Sequence, residues 1–198
     1  MAYTNLVTYQ DVLRRAMESS ATIEAQQAEV ERVIRDVTAL IQSYLNRRLI
    51  AYTHTQRVLP GEFEYDPIAG EDTFWADAWP VVEVLTDGYD RLTDRRIEGE
   101  ADAVAVDYVA GYRRSGQTLG QLQQNNPNAT VHPDVLPADI TRTALRLVIA
   151  EVSEVSDDLL GIGQKEVSIG RDVTTYQGAD AGFVQRELSR LDRYRRRI

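Results

Sequence analysis

The sequence predicts a mainly α protein: a helical bundle with a small inserted antiparallel β element and an extended C-terminal segment. Three observations predict it. Apolar residues recur at three- and four-residue steps from Ile23 to about Leu49, the period of a long amphipathic helix. Two β-branched runs, "VVEV" (81–84) and "AVAVDYVAGY", stand between turn-forming residues in the middle of the chain, as short strands do. A basic amphipathic stretch, Ala179–Arg197, then follows a glycine-spaced linker.

Taken in order, Thr8 can cap a first helix, "YQDVLRRAMES", with Asp11 three residues on as its reciprocal partner. In the long helix Val30, Val33, Ile34, Val37, Leu40, Ile41, Tyr44 and Leu45 form the stripe. Glu29, Glu31, Arg32, Arg35 and Asp36 lie off it. "THTQRVLPG" (53–61) reads as a strand stopped by Pro60–Gly61, because proline cannot donate to a ladder. "EFEYDPIAGEDTFWADAWP" reads as an acidic, aromatic loop, and Asp87–Gly88 after "VVEV" as a hairpin turn. Val104, Val106 and Tyr108 share one face of the next strand, so a sheet of two to four strands is expected. Residues 113–136 are rich in Gln, Asn, Gly and Pro without apolar period and read as a long loop, a type often functional or mobile. Pro137 opens another helix with Ile140, Ala144, Leu147, Val148 and Val155 on one side. "GIGQKEVSIGRDVTTYQGADAG" is a second linker, with a possible strand at Val167–Ile169. In the last segment Phe183, Val184, Leu188, Leu191 and Tyr194 form the apolar side. The expected division is a helical domain over 1–178, holding the β insertion at about 53–112 and the 113–136 loop, and a basic tail at 179–198.

The 198 residues suffice for one domain with a real core. No apolar run approaches the ~18 residues of a membrane span, and the start lacks a signal-peptide pattern. The chain has no cysteine, so no disulfide framework or thiolate chemistry is available to it. Cytoplasmic synthesis is the expectation. Net charge is −9, but residues 183–198 hold six arginines against Glu187 and Asp192, a sum of +4, leaving −13 elsewhere. An acidic body is poorly suited to wrapping DNA. A basic tail on it points to an acidic partner surface.

No catalytic constellation emerges. His54 and His132 are the only histidines, and neither a nucleophile elbow nor a zinc-binding helix motif is present. "GIGQKEVSIG" has neither phosphate-loop nor dinucleotide spacing. The acids Glu62, Glu64, Asp66, Glu71, Asp72 and Asp77 lack calcium-loop spacing and read as a solvated loop. No enzyme activity, cofactor or metal is therefore expected. Trp75 and Trp79 fit either core anchors or interface hot spots. The tail fits a solvated helix, a nucleic-acid contact or a protein contact, and arginines interleaved with Leu191, Tyr194 and Ile198 favour the last.

The order of features resembles the phage head–tail connector family, also called adaptor or head-completion proteins. The resemblance rests on "TIEAQQAEVERVIRDVTALIQSYLNRRL", "WPVVEVLTDG", "VDYVAGY", "LPADITRTALRLVIAEV" and "LSRLDRYRRRI". It implies a structural virion protein at the head–tail interface, assembled in the host cytoplasm. Such proteins form a homo-oligomeric ring, usually of twelve copies, between the portal protein and a tail, stopper or tail-terminator protein. Genomic DNA passes through the ring without sequence-specific contact, and no membrane is involved. The family's C-terminal segment inserts into the portal. That places portal contacts at Arg190, Leu191, Arg193, Tyr194, Arg195, Arg196, Arg197 and Ile198. Subunit or tail contacts are expected at Trp75, Trp79, Tyr108, Gly111 and Tyr112, with Gly111 supplying a backbone turn that a Cβ resists. The competing expectation is a nucleic-acid-binding regulator that uses the basic helix.

Overall fold

Strand-forming and helix-forming residues segregate along this chain, and the structure follows that segregation. The computed structural model describes residues 5–15, 27–68, 70–100, 104–124, 126–159 and 181–195. The chain divides into two compact units: a β unit over Arg48–Leu136, and a helical unit made of Asn5–Arg47 and Pro137–Ile198.

The helical unit contains α1 (Tyr9–Arg15), α2 (Gln27–Leu45), α4 (Ala138–Leu159) and α5 (Ala181–Ser189), while α3 (Leu119–Gln123) lies in the β unit. α1 starts where the sequence predicts. Asp11 Oδ2 accepts from Thr8 N at 2.9 Å, and Asp11 N donates to Thr8 Oγ1 at 3.1 Å, so two orphan donors are satisfied reciprocally. α2 buries Val30, Val33, Ile34, Val37, Thr38, Ile41 and Leu45. The six apolar members contribute on the order of 10 kcal/mol of transfer free energy. Thr38 is buried because its hydroxyl accepts from Leu6 N at 3.2 Å.

The long helix stops four residues before the predicted end. Asn46 takes φ 52°. Its N–H donates to Ser43 O at 3.0 Å, while Arg47 N donates to Gln42 O at 3.1 Å. These paired bonds close the last turn, and asparagine tolerates the left-handed conformation they require. α2 packs on α4, α1 packs on both, and α5 packs on α4.

The β unit overturns the expectation of a mainly α bundle. Among the described residues it carries seven strands in two antiparallel sheets, so the chain is a mixed α/β protein. The strands are β1 (Tyr52–Val58), β2 (Glu64–Asp66), β3 (Glu71–Trp75), β4 (Val81–Val84), β5 (Tyr89–Arg91), β6 (Arg96–Gly99) and β7 (Val104–Ala110). One sheet has the order β1-β7-β4, the other β2-β3-β6-β5. The acidic stretch predicted as loop is thus the hairpin β2–β3. Its strands are three and five residues long, too short for alternation to show through their polar outer side chains. Asp87–Gly88 does turn, with Gly88 at φ 81°. It joins β4 to β5, which lie in different sheets, so it is not the turn of a paired hairpin.

β7 explains how the unit holds together. Val106, Tyr108 and Ala110 point to one side and pack with Val58, Phe74, Ala78, Val81, Tyr89 and Ile97. Those partners come from both sheets, so this core fills the space between them. Val109 points to the other side, where Ala51, Val82, Leu122 and Ala129 join it. The last two belong to residues 113–136. That segment is therefore not a free loop but a cover for the outer face of the three-stranded sheet.

The cover is held by polar groups, which is why no apolar period announced it. Thr118 caps the short helix α3 (Leu119–Gln123) with Gln121 as its reciprocal partner. Asn126 is fully buried; its Nδ2 donates to Ala51 O at 3.1 Å, and its Oδ1 accepts from Thr53 Oγ1 at 3.3 Å. Glu83 on β4 accepts from Thr130 N at 2.8 Å and Val131 N at 3.1 Å, and from the Thr130 hydroxyl. Burial pushes the Glu83 carboxyl up, but these bonds outweigh it and hold the carboxyl below its ordinary range.

Candidate functional site

The C-terminal segment is seated on the helical unit. Leu191 is completely buried and Leu188 nearly so, so the apolar side predicted from sequence is the anchor. Glu187 is also buried. It accepts from Arg146 Nη1 on α4 at 3.0 Å and from Arg190 Nη1 at 2.7 Å. A buried carboxylate is tolerable only with such charged donors. After α5 the chain makes a short 3-10 turn, Asp192–Tyr194. Asp139, at the start of α4, pairs with Arg193 and accepts from Tyr194 OH at 3.1 Å. Asp192 accepts from the hydroxyl of Tyr44 on α2. That hydrogen bond, with burial and the Asp192 charge, raises the Tyr44 hydroxyl above its ordinary pKa. The Arg195 guanidinium lies 5.3 Å from the Tyr44 ring centroid, within cation–π range.

The expected portal-contact residues therefore play unequal parts. Leu191 is an internal anchor, and Arg190 and Tyr194 are tied to Glu187 and Asp139. Arg193 and Arg195 are exposed although they touch Asp139 and Tyr44. Arg196, Arg197 and Ile198 lie outside the described residues, as do the glycine-spaced linker and the possible strand at Val167–Ile169.

The second expected group lies wholly in the β unit, and its members do not form one surface. Trp75 is 55% exposed, which rules out a core role for it. The Arg96 guanidinium sits 5.3 Å from its ring centroid. Trp79 is half-buried, with Arg95 at 3.9 Å over its ring. Tyr112 is half-buried beside residues 49–51. Gly111 has φ 115°, and a Cβ there would meet Leu49 O at 2.8 Å and the Ala51 backbone at 2.9 Å. Tyr108 is fully buried. Its hydroxyl donates to Gln56 Oε1 at 2.9 Å and accepts from Ala78 N at 3.0 Å. Tyr108 and Gly111 hold the fold in place, while Trp75 offers a face to solvent.

Tyr108 yields a prediction on stability. Tyr108→Phe leaves the buried Ala78 N–H without its acceptor, and a loss of about 2 kcal/mol is expected in urea unfolding. Burial pushes the Tyr108 hydroxyl up to about 12, the Ala78 hydrogen bond offsetting part of this. A folded-state pKa above the unfolded one means its contribution is complete below pH ~10 and disappears as pH rises toward ~12. The wild type should lose stability over that alkaline window, and Tyr108→Phe should lose less. An equal loss in both proteins would refute this assignment.

Sequence reasoning missed several participants. Glu187, Asp139, Tyr44 and Asp192 seat the C-terminal segment, and only the three-residue spacing of Glu187 and Arg190 hinted at it. Arg146 on α4 and Arg190 at the end of α5 both bind Glu187, and Arg142 and Arg186 stand one turn before them on the same helices. Tyr65 and Ile68 on the β2–β3 hairpin are 66% and 96% exposed. Among the described residues no group of three or more His, Asp or Glu is arranged to hold a metal ion. His54 packs edge-on against Tyr108, with ring centroids 5.3 Å apart. What the two units offer is charge and aromatic surface suited to binding. Compared with known families and curated proteins, the chain matches no family model and no curated sequence.

Proposed function

We propose that this chain is a structural, non-enzymatic adaptor of a tailed-phage virion, one copy of a ring seated between the portal and the tail or stopper. The observation that carries the reading is the seated C-terminal segment. Leu188 and Leu191 fix its base, four exposed arginines rise from that base at 186, 190, 193 and 195, and the chain leaves Arg195 extended, at φ −69° and ψ 133°. A basic end delivered from a fixed base loses less entropy on docking than a free tail. Arg193, Arg195 and the Arg196–Ile198 end are the portal contact.

The charge distribution supports the same reading. Residues 48–136 hold seven basic and fifteen acidic residues, a net of −8, against −1 for the rest of the chain. An acidic wall repels phosphates and lets DNA slide. No helix among the described residues is long and apolar enough to cross a membrane.

The test is co-expression with the portal protein encoded in the same genome. The tagged wild type should retain the portal, and Arg195→Glu/Arg196→Glu/Arg197→Glu should reduce retention at least about tenfold, the scale of a lost charge-assisted contact. Equal retention by both proteins would overturn the assignment. If the isolated wild type binds arbitrary DNA with a steep salt dependence, and the triple variant does not, the chain is instead a nucleic-acid-binding protein.

A further inference from the structure

Among the described residues, four of the six large apolar side chains that stand exposed, Leu59, Tyr65, Ile68 and Trp75, fall within seventeen residues on and beside the β2–β3 hairpin. Exposed aromatic and branched side chains gathered on one short element mark an interaction surface. The element is also an edge: β2 closes one side of its sheet, and edge strands invite a partner unless something covers them. Its own charges are of one sign, and Arg96 of the neighbouring β6 offsets part of them by pairing with Asp66 at 3.0 Å and Glu64 at 3.6 Å. Residues 58–90 contain nine acids and not one lysine or arginine. Asp72 lies directly across the hairpin from Tyr65, and Glu71 stands across from Asp66 beside the turn that carries Ile68. Two such hairpins from two copies would repel each other, so the occupant must be basic.

The helical unit carries a surface of the required sign. Arg142 and Arg146 on α4 and Arg186 and Arg190 on α5 are all exposed. They are contiguous, because Arg146 and Arg190 share the buried Glu187 and each has its helical neighbour one turn away. Glu187 neutralises one charge of four.

We propose that copies of this chain associate head to tail, the acidic, aromatic β2–β3 hairpin of one copy docking on the four-arginine face of α4 and α5 of the next. Unlike patches pair, so the contact is heterologous and propagates into a ring when the rotation closes. Tyr65 and Ile68 are the apolar anchors, and the acids around them set orientation and on-rate. The inference deepens the ring reading above and rests on it, while using residues other than the portal-contacting end.

Sedimentation velocity of the full chain, up to millimolar protein at low salt, tests it. The wild type is expected to form concentration-dependent oligomers that weaken at least about tenfold when salt rises well above physiological strength. Two charge-reversed proteins are then compared: Arg142→Glu/Arg186→Glu, which leaves both partners of Glu187 in place, and Glu71→Lys/Asp72→Lys. Each alone should associate at least about tenfold more weakly. Their equimolar mixture should recover association, because each restores the sign the other lacks. Thermal unfolding of each variant checks that it is folded, and Tyr65→Ser, which changes no charge, supplies a second disruption of the hairpin. A monomeric wild type under these conditions, variants that associate like wild type, or a mixture no better than its components would overturn the proposal. Portal retention by the same proteins separates the two ideas. Self-association without portal retention sinks the portal reading alone, and portal retention by a strictly monomeric chain sinks this one.

Discussion

Gly111→Val is expected to lower the unfolding free energy of the protein by about 4 kcal/mol, read as a fall in the urea midpoint. Two effects add. At φ 115° a residue with a Cβ is strained by about 1–2 kcal/mol, and a β-branched one is a genuine outlier there. The Cβ would also stand 2.8 Å from Leu49 O and 2.9 Å from the Ala51 Cα and N. Those atoms are backbone and both residues are buried, so they cannot swing aside, and forced overpacking costs about 1–3 kcal/mol more. Shifting residues 49–51 also loosens the bonds from Tyr112 N to Leu49 O, 2.7 Å, and from Ala51 N to Tyr112 O, 2.9 Å. Gly61→Ala is the control, since a Cβ there meets no atom within 4 Å; it should change stability by less than about 0.5 kcal/mol. A Gly111→Val protein with the wild-type midpoint would show that the crossing of β7 with residues 49–51 is not built this way.

Leu191→Ala should cost about 3 kcal/mol, the usual range for opening a cavity at a fully buried leucine. Its local consequence is more informative. The 3-10 turn depends on Leu191 for two backbone bonds, Leu191 N to Leu188 O at 2.8 Å and Tyr194 N to Leu191 O at 2.8 Å. With the anchor gone, the contacts of Arg193 and Tyr194 with Asp139, and of Asp192 with Tyr44, have no fixed base. Hydrogen exchange should therefore quicken across residues 181–195 at least about tenfold, while the amides of β1 and β7 keep their protection. Uniform quickening in both regions would mean general destabilisation, and unchanged exchange at 188–195 would mean that Leu191 does not seat the segment. Under the portal proposal the same variant should also retain less portal protein, although it keeps every arginine.

Much of the helical unit was legible in the sequence because long helices repeat their period. The stripe from Val30 to Leu45 needed no tertiary information, nor did the reciprocal cap of Thr8 and Asp11. The end of α2 was less legible. Leu49 continues the apolar spacing, and only the left-handed turn at Asn46 breaks it. Asn46 can adopt that conformation, but asparagine also sits inside helices, so composition alone did not decide.

The β unit leaves little trace in the sequence for a physical reason. β2, β5 and β6 are three or four residues long, and several of their positions hold Asp, Glu or Arg. A single inward side chain per strand, such as Ile97 on β6 or Tyr89 on β5, carries no period. These strands exist because non-local partners complete them: Phe74 opposite Ile97, Tyr89 opposite Gly99. Residues 113–136 hide their structure in the same way. Asn126 and Glu83 bind main-chain groups far along the sequence, and a polar residue gives no hint of which distant carbonyl or N–H it will meet.

The helical period, the turn residues, the absence of cysteine and the strong charge imbalance are all readable from the residues in a row, because each depends only on near neighbours or on totals. Only the folded chain shows that the seven strands among the described residues form two sheets, that Trp75 faces water, and that Arg146 and Arg190 meet on one buried glutamate. Those outcomes depend on which distant residues share a surface, and closing the chain on itself is the step that sets them.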